Sequence, residues 1–195
     1  MKRGVRELRV VGGSLRGRKW TFPDVPGLRP TPDRVRETLF NWLSPHLPGM
    51  RVLDLFAGSG ALAFEALSRG AAAATLVESD RAAAAELRST AVRFGLTQAV
   101  VENADALAVL RAAAAGSFDL VFLDPPFASE LLAPALMLIG QRQVLAGGGF
   151  CYIEQAADSP LAPLPAGWLP HRTGRAGEVG YHLLHAPQSP VPRNI

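Results

Sequence analysis

Leu120-Val121-Phe122-Leu123-Asp124-Pro125-Pro126-Phe127 is a short apolar run that stops at an acid, two prolines and an aromatic residue. From Phe118 to Leu123 it is too short for a helix and is bounded by Gly116 and the prolines, so it predicts a central strand of a covered parallel sheet. Pro125 and Pro126 have no N–H, fix φ near about −65° and drive the residue before them out of the helical region. They end the strand and hold Asp124 and Pro125 extended, with carbonyls open to donors. A carboxylate, one or two carbonyls and an aromatic face then leave the carboxyl end of a strand, where open α/β sheets bind ligands. That set suits a planar group bearing an NH2, with acceptors on the amine and Phe127 stacked on the ring. A plainer reading, a strand ending in a Pro-Pro turn with Phe127 as core filler, explains the same residues. The choice falls to what stands upstream.

Arg51 to Phe56 reads as a strand that runs directly into Ala57-Gly58-Ser59-Gly60-Ala61-Leu62 and a helix ending at Arg69. A glycine turn between strand and helix lets a ligand approach the backbone, and the helix N-terminus offers free N–H groups. The match to Gly-x-Gly-x-x-Gly is partial, because Ala63 stands where a third glycine would. A second strand, Ala74 to Glu78, ends in Glu78-Ser79-Asp80. Glu78 is placed to accept from both ribose hydroxyls of a nucleoside, and Asp80 reads as the cap of a helix from Arg81 to Phe94. Strand three, Ala99 to Glu102, is followed by Asp105. That acid either accepts from an exocyclic adenine amine or caps a helix from Ala106 to Ala115. After the opening stretch come an amphipathic helix from Leu131 to Gln143, a turn at Gly147-Gly148-Gly149 and a strand from Phe150 to Glu154. An antiparallel hairpin, Trp168 to Arg175 and Val179 to His185, closes the sheet, and Pro187 to Ile195 reads as a loose tail.

Upstream, Glu7 to Val11 and Arg18 to Phe22 alternate around Gly12-Gly13 and predict a hairpin with a basic face; Pro23 to Pro32 is an irregular connector. Thr31-Pro32-Asp33 opens a helix capped by Asp33 or Thr31, with Val35, Leu39, Trp42 and Leu43 on one face and Arg34 and Arg36 leaving its first turns. The net charge of +3 is unevenly spread: residues 1–36 hold ten Lys/Arg against three Asp/Glu, and eight of the ten are arginines. Arginine suits forked contacts with phosphate, so a nucleic-acid surface is the natural reading, with a solvated arm as the plain alternative.

At 195 residues and 48% hydrophobic, the chain reads as one globular domain. No apolar run approaches the roughly 20 residues needed to span a bilayer, and Met1 to Glu7 has no apolar signal-peptide core. The single cysteine, Cys151, excludes an internal disulfide and a Cys-based zinc cluster, and points to a reducing cytoplasm. His46, His171, His182 and His185 show no metal spacing and read as structural or exposed. No Ser-His-Asp or Cys-His arrangement is suggested, and no Walker lysine follows the glycine turn.

Asp54-x-Phe56-x-Gly58-x-Gly60, then Glu78, Asp105 and Asp124 to Phe127, together resemble the Rossmann-like S-adenosylmethionine-dependent methyltransferases, and more narrowly those acting on amines. Val11-Gly12-Gly13, Arg16-Gly17-Arg18, Gly27 to Thr31 and the block Asp33 to Leu43 narrow the resemblance to the RsmD family of bacterial 16S ribosomal RNA guanine-N2 methyltransferases. The resemblance implies an α/β fold: a seven-stranded, mostly parallel sheet with its last strand antiparallel, plus an N-terminal β-hairpin extension. It divides the chain into a hairpin and connector (1–30), a methyltransferase domain (31–186) and a tail (187–195).

The activity implied is transfer of one methyl from S-adenosyl-L-methionine to the 2-amino group of a guanine in 16S rRNA, the guanine-966 type. Asp54, Gly58, Ser59 and Gly60 would hold the methionine part of the cofactor, with Phe56 also at the cofactor, Glu78 the ribose, and Ser79 and Asp105 the adenine side. Asp124, Pro125, Pro126 and Phe127 would hold the guanine; Arg16, Arg18, Arg29, Arg34 and Arg36 would track phosphate. The family often has a longer apolar residue or Met where this chain has Ser79. The implied partner is 16S rRNA in an assembling or assembled 30S subunit; no metal and no membrane are expected, and the oligomeric state is left open with a monomer favoured. A DNA adenine-N6 methyltransferase would use a similar tip, but there is no room for a separate DNA-recognition domain. A dinucleotide oxidoreductase leaves Asp124 to Phe127 idle, and a non-catalytic RNA-binding assembly factor does not require the acid set.

Overall fold

The computed structural model describes residues 5–23, 31–126 and 129–188. Strands β1 (Val5–Arg9) and β2 (Lys19–Pro23) pair as an antiparallel hairpin, followed by helix α1 (Asp33–Leu43). The chain then alternates through β3 (Arg51–Asp54), α2 (Ala61–Ser68), β4 (Ala73–Val77), α3 (Arg81–Phe94), β5 (Ala99–Glu102), α4 (Ala106–Ala112), β6 (Phe118–Leu123) and α5 (Leu132–Gln141). It closes with β7 (Leu145–Ala156), β8 (Leu169–Ala176) and β9 (Val179–His185). The last seven strands form one sheet in the order β5-β4-β3-β6-β7-β9-β8, parallel from β5 to β7, with β9 antiparallel to both neighbours. The opening apolar run is therefore the middle strand of the sheet.

Its unbroken apolarity follows from burial on two faces. Leu120 and Phe122 join Val52, Leu76 and Tyr152 in one core, whereas Val121 and Leu123 join Leu53, Cys151 and Ile153 in the other. Residues from α1, α2 and α3 cover the first face, and residues from α4 and α5 cover the second. From β3 the chain adds strands on one side, to β5, before β6 returns to the other side of β3. The strand order thus reverses between Asp54 and Asp124, and a crevice opens at the carboxyl ends there.

The hairpin shares the first core: the Trp20 ring packs edge-on against Phe64 and Phe94, at 5.7 and 6.0 Å between centroids. Val11 and Gly12 donate their N–H groups to the Glu65 carboxylate at 2.8 and 2.7 Å, and Ser14 N–H donates to the Ser68 carbonyl. Gly13 is required here, since it lies at φ +77° and a Cβ would collide with that carbonyl. Glu65 is fully buried and also accepts from Arg69 at 2.7 Å, with Arg36 Nη1 3.5 Å away.

Several boundaries differ from the sequence reading. Neither Thr31 nor Asp33 caps α1: Pro32 occupies the cap, Asp33 pairs with Arg9 and Arg36, and the Thr31 hydroxyl is spent on Glu154. Gly147 to Gly149 lie inside β7, where the register jumps from Phe118↔Leu145 to Leu120↔Phe150, so the glycines bulge out between two paired stretches. Helix α4 stops at Ala112, and α5 runs from Leu132 to Gln141. His46, His171 and His185 pack around Phe150, and His182 is hydrogen-bonded to Thr173. No helix among the described residues is long and apolar enough to cross a membrane.

Candidate functional site

At the strand-order reversal lies a cleft of about 1220 Å³, lined among others by Asp54, Phe56, Gly58, Ser59, Glu78, Ser79, Asp105, Asp124 and Pro125. The tips of β3, β4, β5 and β6 therefore converge on one space, bringing together all the acids picked from the sequence. Parallel register does this: Asp54 pairs with Leu76 and Phe122, and Val77 with Glu102, so the residues that follow each strand emerge along one edge.

Asp54 is 4% exposed and accepts from Ala63 N–H in the first turn of α2 at 3.2 Å. Burial, reinforced by the Glu78 charge and opposed by that N–H, pushes its carboxyl up to about 7. Beyond it the chain turns through Gly58-Ser59-Gly60. Gly60 takes the left-handed conformation (φ +77°) at the N-cap of α2, and a Cβ there would collide with Phe64 and Leu87. Glu78 braces this turn, its Oε2 accepting from Gly58 N–H at 2.9 Å and its Oε1 from Asp80 N–H at 2.7 Å. Each carboxylate oxygen has a second lone pair, so the brace leaves Glu78 able to accept from a ligand hydroxyl. Asp80 caps α3 through Ala82 and Ala83 N–H, and Asp105 caps α4 through Ala108 N–H; the Asp105 cap uses only Oδ1.

At the end of β6, Asp124 is partly exposed to the cleft and its carboxylate accepts no hydrogen bond among the described residues. Burial, then the Glu154 and Asp54 charges, push its carboxyl well above the usual range. The Pro125 carbonyl is likewise unengaged, whereas the Pro126 carbonyl is taken by the N–H and hydroxyl of Ser129. The two carbonyls read as open, those of Asp124 and Pro125, accept no hydrogen bond among the described residues. Phe127 and Arg29 lie outside the described residues.

The arginines divide. Arg16, Arg18 and Arg34 are exposed, but Arg36 is 0% exposed. Its guanidinium donates to the Arg9 carbonyl at 3.0 Å and to Asp33 at 2.5 Å, beside Glu65. Helical spacing turns position 36 onto the apolar stripe with Val35, Leu39 and Leu43, so Arg36 is a structural cation and not part of a phosphate-facing surface.

Three residues not singled out from the sequence belong to the site. Glu154, two residues before the end of β7, lines the cleft. The rule that selects Glu78, an acid at a predicted strand's carboxyl end, also selects it. Asn103 donates to the Glu78 and Ser79 carbonyls at 2.8 and 2.9 Å, fixing the Glu78-Ser79 backbone. Trp20 Nε1 donates to the Ser59 carbonyl at 2.8 Å, a link no local pattern announces.

Among the described residues, eight carboxylates line the cleft against one guanidinium, Arg6: Asp54, Glu78, Asp80, Asp105, Asp124, Glu154 and the exposed Asp158 and Glu178. Such a field favours a cationic ligand and repels phosphate. Acceptors spaced along four strand tips, a glycine turn and a net negative floor fit a sulfonium nucleoside that also bears an amino group. Among the described residues, no group of three or more His, Cys, Asp and Glu is arranged to hold a metal ion.

The profile of the family described as "conserved hypothetical protein 95" matches residues 8–185. The chain is 46% identical over 180 residues to ribosomal RNA small subunit methyltransferase D of Escherichia coli K12, covering 92% of this chain and 90% of that protein. It superposes on the solved structure of the Escherichia coli protein yhhF with a TM-score of 0.86 and 41% identity, covering 93% and 99% of the two chains. A Salinibacter ruber RNA methyltransferase solved with S-adenosyl-L-homocysteine shares the fold at 16% identity, with a TM-score of 0.64 over 85% of this chain and 98% of that one. The chain belongs to the RsmD family.

Proposed function

We propose that this member of the RsmD family transfers a methyl group from S-adenosyl-L-methionine to the 2-amino group of one guanine in 16S ribosomal RNA, the guanine-966 type, in an assembling or assembled 30S subunit. The observation that carries the reading is the pair of acceptors unengaged among the described residues, the Asp124 carboxylate and the Pro125 carbonyl, at an acid-lined cleft where the strand order reverses.

S-adenosyl-L-methionine, when bound, supplies an electrophilic methyl on a positively charged sulfur. Asp54 and the Gly58-Ser59-Gly60 turn, with Phe56 beside them, receive its amino-acid end. Glu78 receives the ribose, and Ser79 and Asp105 the adenine side. An exocyclic guanine amine is a poor nucleophile because its lone pair is delocalised into the ring. Asp124 and the Pro125 carbonyl accept its two N–H bonds and turn the lone pair out of the ring plane, so the gain is in orientation and in compensating positive charge that develops on nitrogen. Burial and its acidic neighbours hold the Asp124 carboxyl well above its usual range. A cation in the cleft favours the ionised form, and the raised proton affinity then suits Asp124 to take the proton leaving the amine.

The same field that draws a cation in keeps phosphate out, so the RNA must present a single unstacked base while its backbone stays on the exposed arginines Arg16, Arg18 and Arg34. Phe127 follows the acceptors in sequence, and stacking on it would offset about 1–3 kcal/mol of the unstacking.

The test is transfer of labelled methyl to small-subunit RNA, or to 30S particles lacking native modifications, followed by nucleoside analysis. One N2-methylguanosine is expected, and Asp124→Ala should abolish it while keeping cofactor affinity within a few-fold. N6-methyladenosine, or wild-type cofactor binding with no transfer, would overturn the reading.

A further inference from the structure

We propose that Glu154 reads the base: its Oε2 accepts the N1–H of the target guanine, next to the amine held by Asp124 and Pro125. The inference rests on the guanine reading above. Strands β6 and β7 are parallel neighbours in the register Leu123↔Ile153, so the next residues, Asp124 just past the end of β6 and Glu154 within β7, stand side by side, about 5 Å apart in the sheet direction. Glu154 is 4% exposed, and what it exposes faces the cleft.

Its two oxygens are in different situations. Oε1 accepts both the Tyr152 hydroxyl and the Thr31 hydroxyl, each at 2.8 Å. Oε2 accepts nothing among the described residues and is not sealed from the cleft. Burial holds the Glu154 carboxyl above the usual range and the two hydroxyls oppose it; two donors on one oxygen fix the rotation of the group, so in its ionised form the remaining oxygen is a positioned, acceptor-only group.

Guanine carries N1–H and the 2-amino group as neighbouring donors on one edge, and adenine carries a lone pair at N1. A row of acceptors (Glu154 Oε2, Asp124, the Pro125 carbonyl) complements the first edge and repels the second. The tetrapeptide Asp124 to Phe127 holds an amine of either base, so the choice between purines falls to Glu154. Thr31, from the segment entering α1, and Tyr152, on β7, act through Glu154 as positioning residues.

The test uses 30S particles assembled from 16S RNA with either guanine or 2-aminopurine at the nucleotide mapped above. 2-Aminopurine keeps the amine but offers an acceptor at N1. Wild-type enzyme should prefer guanine in kcat/KM by roughly tenfold or more. In Glu154→Gln the amide carbonyl retains the two hydroxyls and its NH2 faces N1, so the preference should shrink or invert while cofactor Kd stays within about twofold. Equal use of both bases by the wild type, or a Glu154→Gln variant that slows both alike with the ratio unchanged, overturns the proposal and leaves Glu154 a structural tie. If Glu154→Gln melts below the assay temperature, the wild-type ratio decides alone. Methylation of no guanine at all by the wild type would instead sink the parent reading.

Discussion

The indole Nε1 of Trp20 donates to the Ser59 carbonyl at 2.8 Å, joining the N-terminal hairpin to the glycine turn at the cleft. Both residues are buried, so the bond cannot be replaced by water. The basic strand pair and the turn proposed to receive the cofactor are thus one mechanical unit.

Trp20→Phe keeps the ring contacts with Phe64 and Phe94 but leaves the Ser59 carbonyl buried without a donor, at a cost of about 1–3 kcal/mol. Urea denaturation should show that loss. Calorimetry should show cofactor affinity lowered several-fold; unchanged affinity would mean that the hairpin and the turn are not coupled.

Arg34 and Arg36, two residues apart on α1, should behave as different classes. Arg34→Glu should weaken RNA binding and lower its salt dependence by about one counterion, with stability near wild type. Arg36→Met removes one partner of a buried charge group with Glu65, so about 3–5 kcal/mol of stability should go. Filter binding at several salt concentrations, paired with thermal melts, separates the two; an Arg36 variant that melts normally but loses RNA would return Arg36 to the phosphate surface.

Asp54 should impose a pH dependence of its own. Its carboxyl is pushed up to about 7 in the fold and sits near 3.8 when unfolded, so between these values the folded state holds the extra proton. The stability it contributes is complete below pH 3.8 and is lost as pH rises through about 7, roughly 4 kcal/mol in all at 1.36 kcal/mol per unit. Ligand-free Asp54→Asn should therefore gain several degrees on wild type at pH 8 and little at pH 4. A variant whose melting difference from wild type is the same at both pH values would refute the shift.

Glu78 braces Gly58 and Asp80, and the proposed function gives it the ribose as well. Glu78→Gln should keep part of the brace through its carbonyl and lower cofactor affinity by about tenfold, whereas Glu78→Ala should lose both and bind weaker still. RNA affinity should stay near wild type in each. Isothermal titration with S-adenosyl-L-homocysteine and with RNA in parallel would expose a Glu78 that serves RNA instead.

The strands, their order of appearance and the acids at their tips were legible in the sequence because each signal is local. An apolar run five or six residues long, a glycine turn and an acid after a strand are read from spacing alone, and parallel register then brings Asp54, Glu78, Asp105 and Asp124 to one edge. Helix limits were less legible. At α1 the capping candidates were drawn off by distant partners, Thr31 to Glu154 and Asp33 to Arg9 and Arg36. At Gly147 to Gly149, pairing with β6 kept three glycines within a strand that reads as a turn.

The sequence by itself therefore determined the layered α/β fold and an acid-tipped sheet edge, through periodicity and turn chemistry that act over a few residues. Only the tertiary structure decided which charges are free to act. It buried Arg36 against Glu65, left Asp124 and the Pro125 carbonyl unengaged among the described residues, and set Glu154 next to Asp124 with one oxygen tied and one without a donor among them. Those outcomes depend on burial and on partners as far as 123 residues away in the chain, and the free energy of a charge is set by its surroundings in space, whatever its neighbours in sequence.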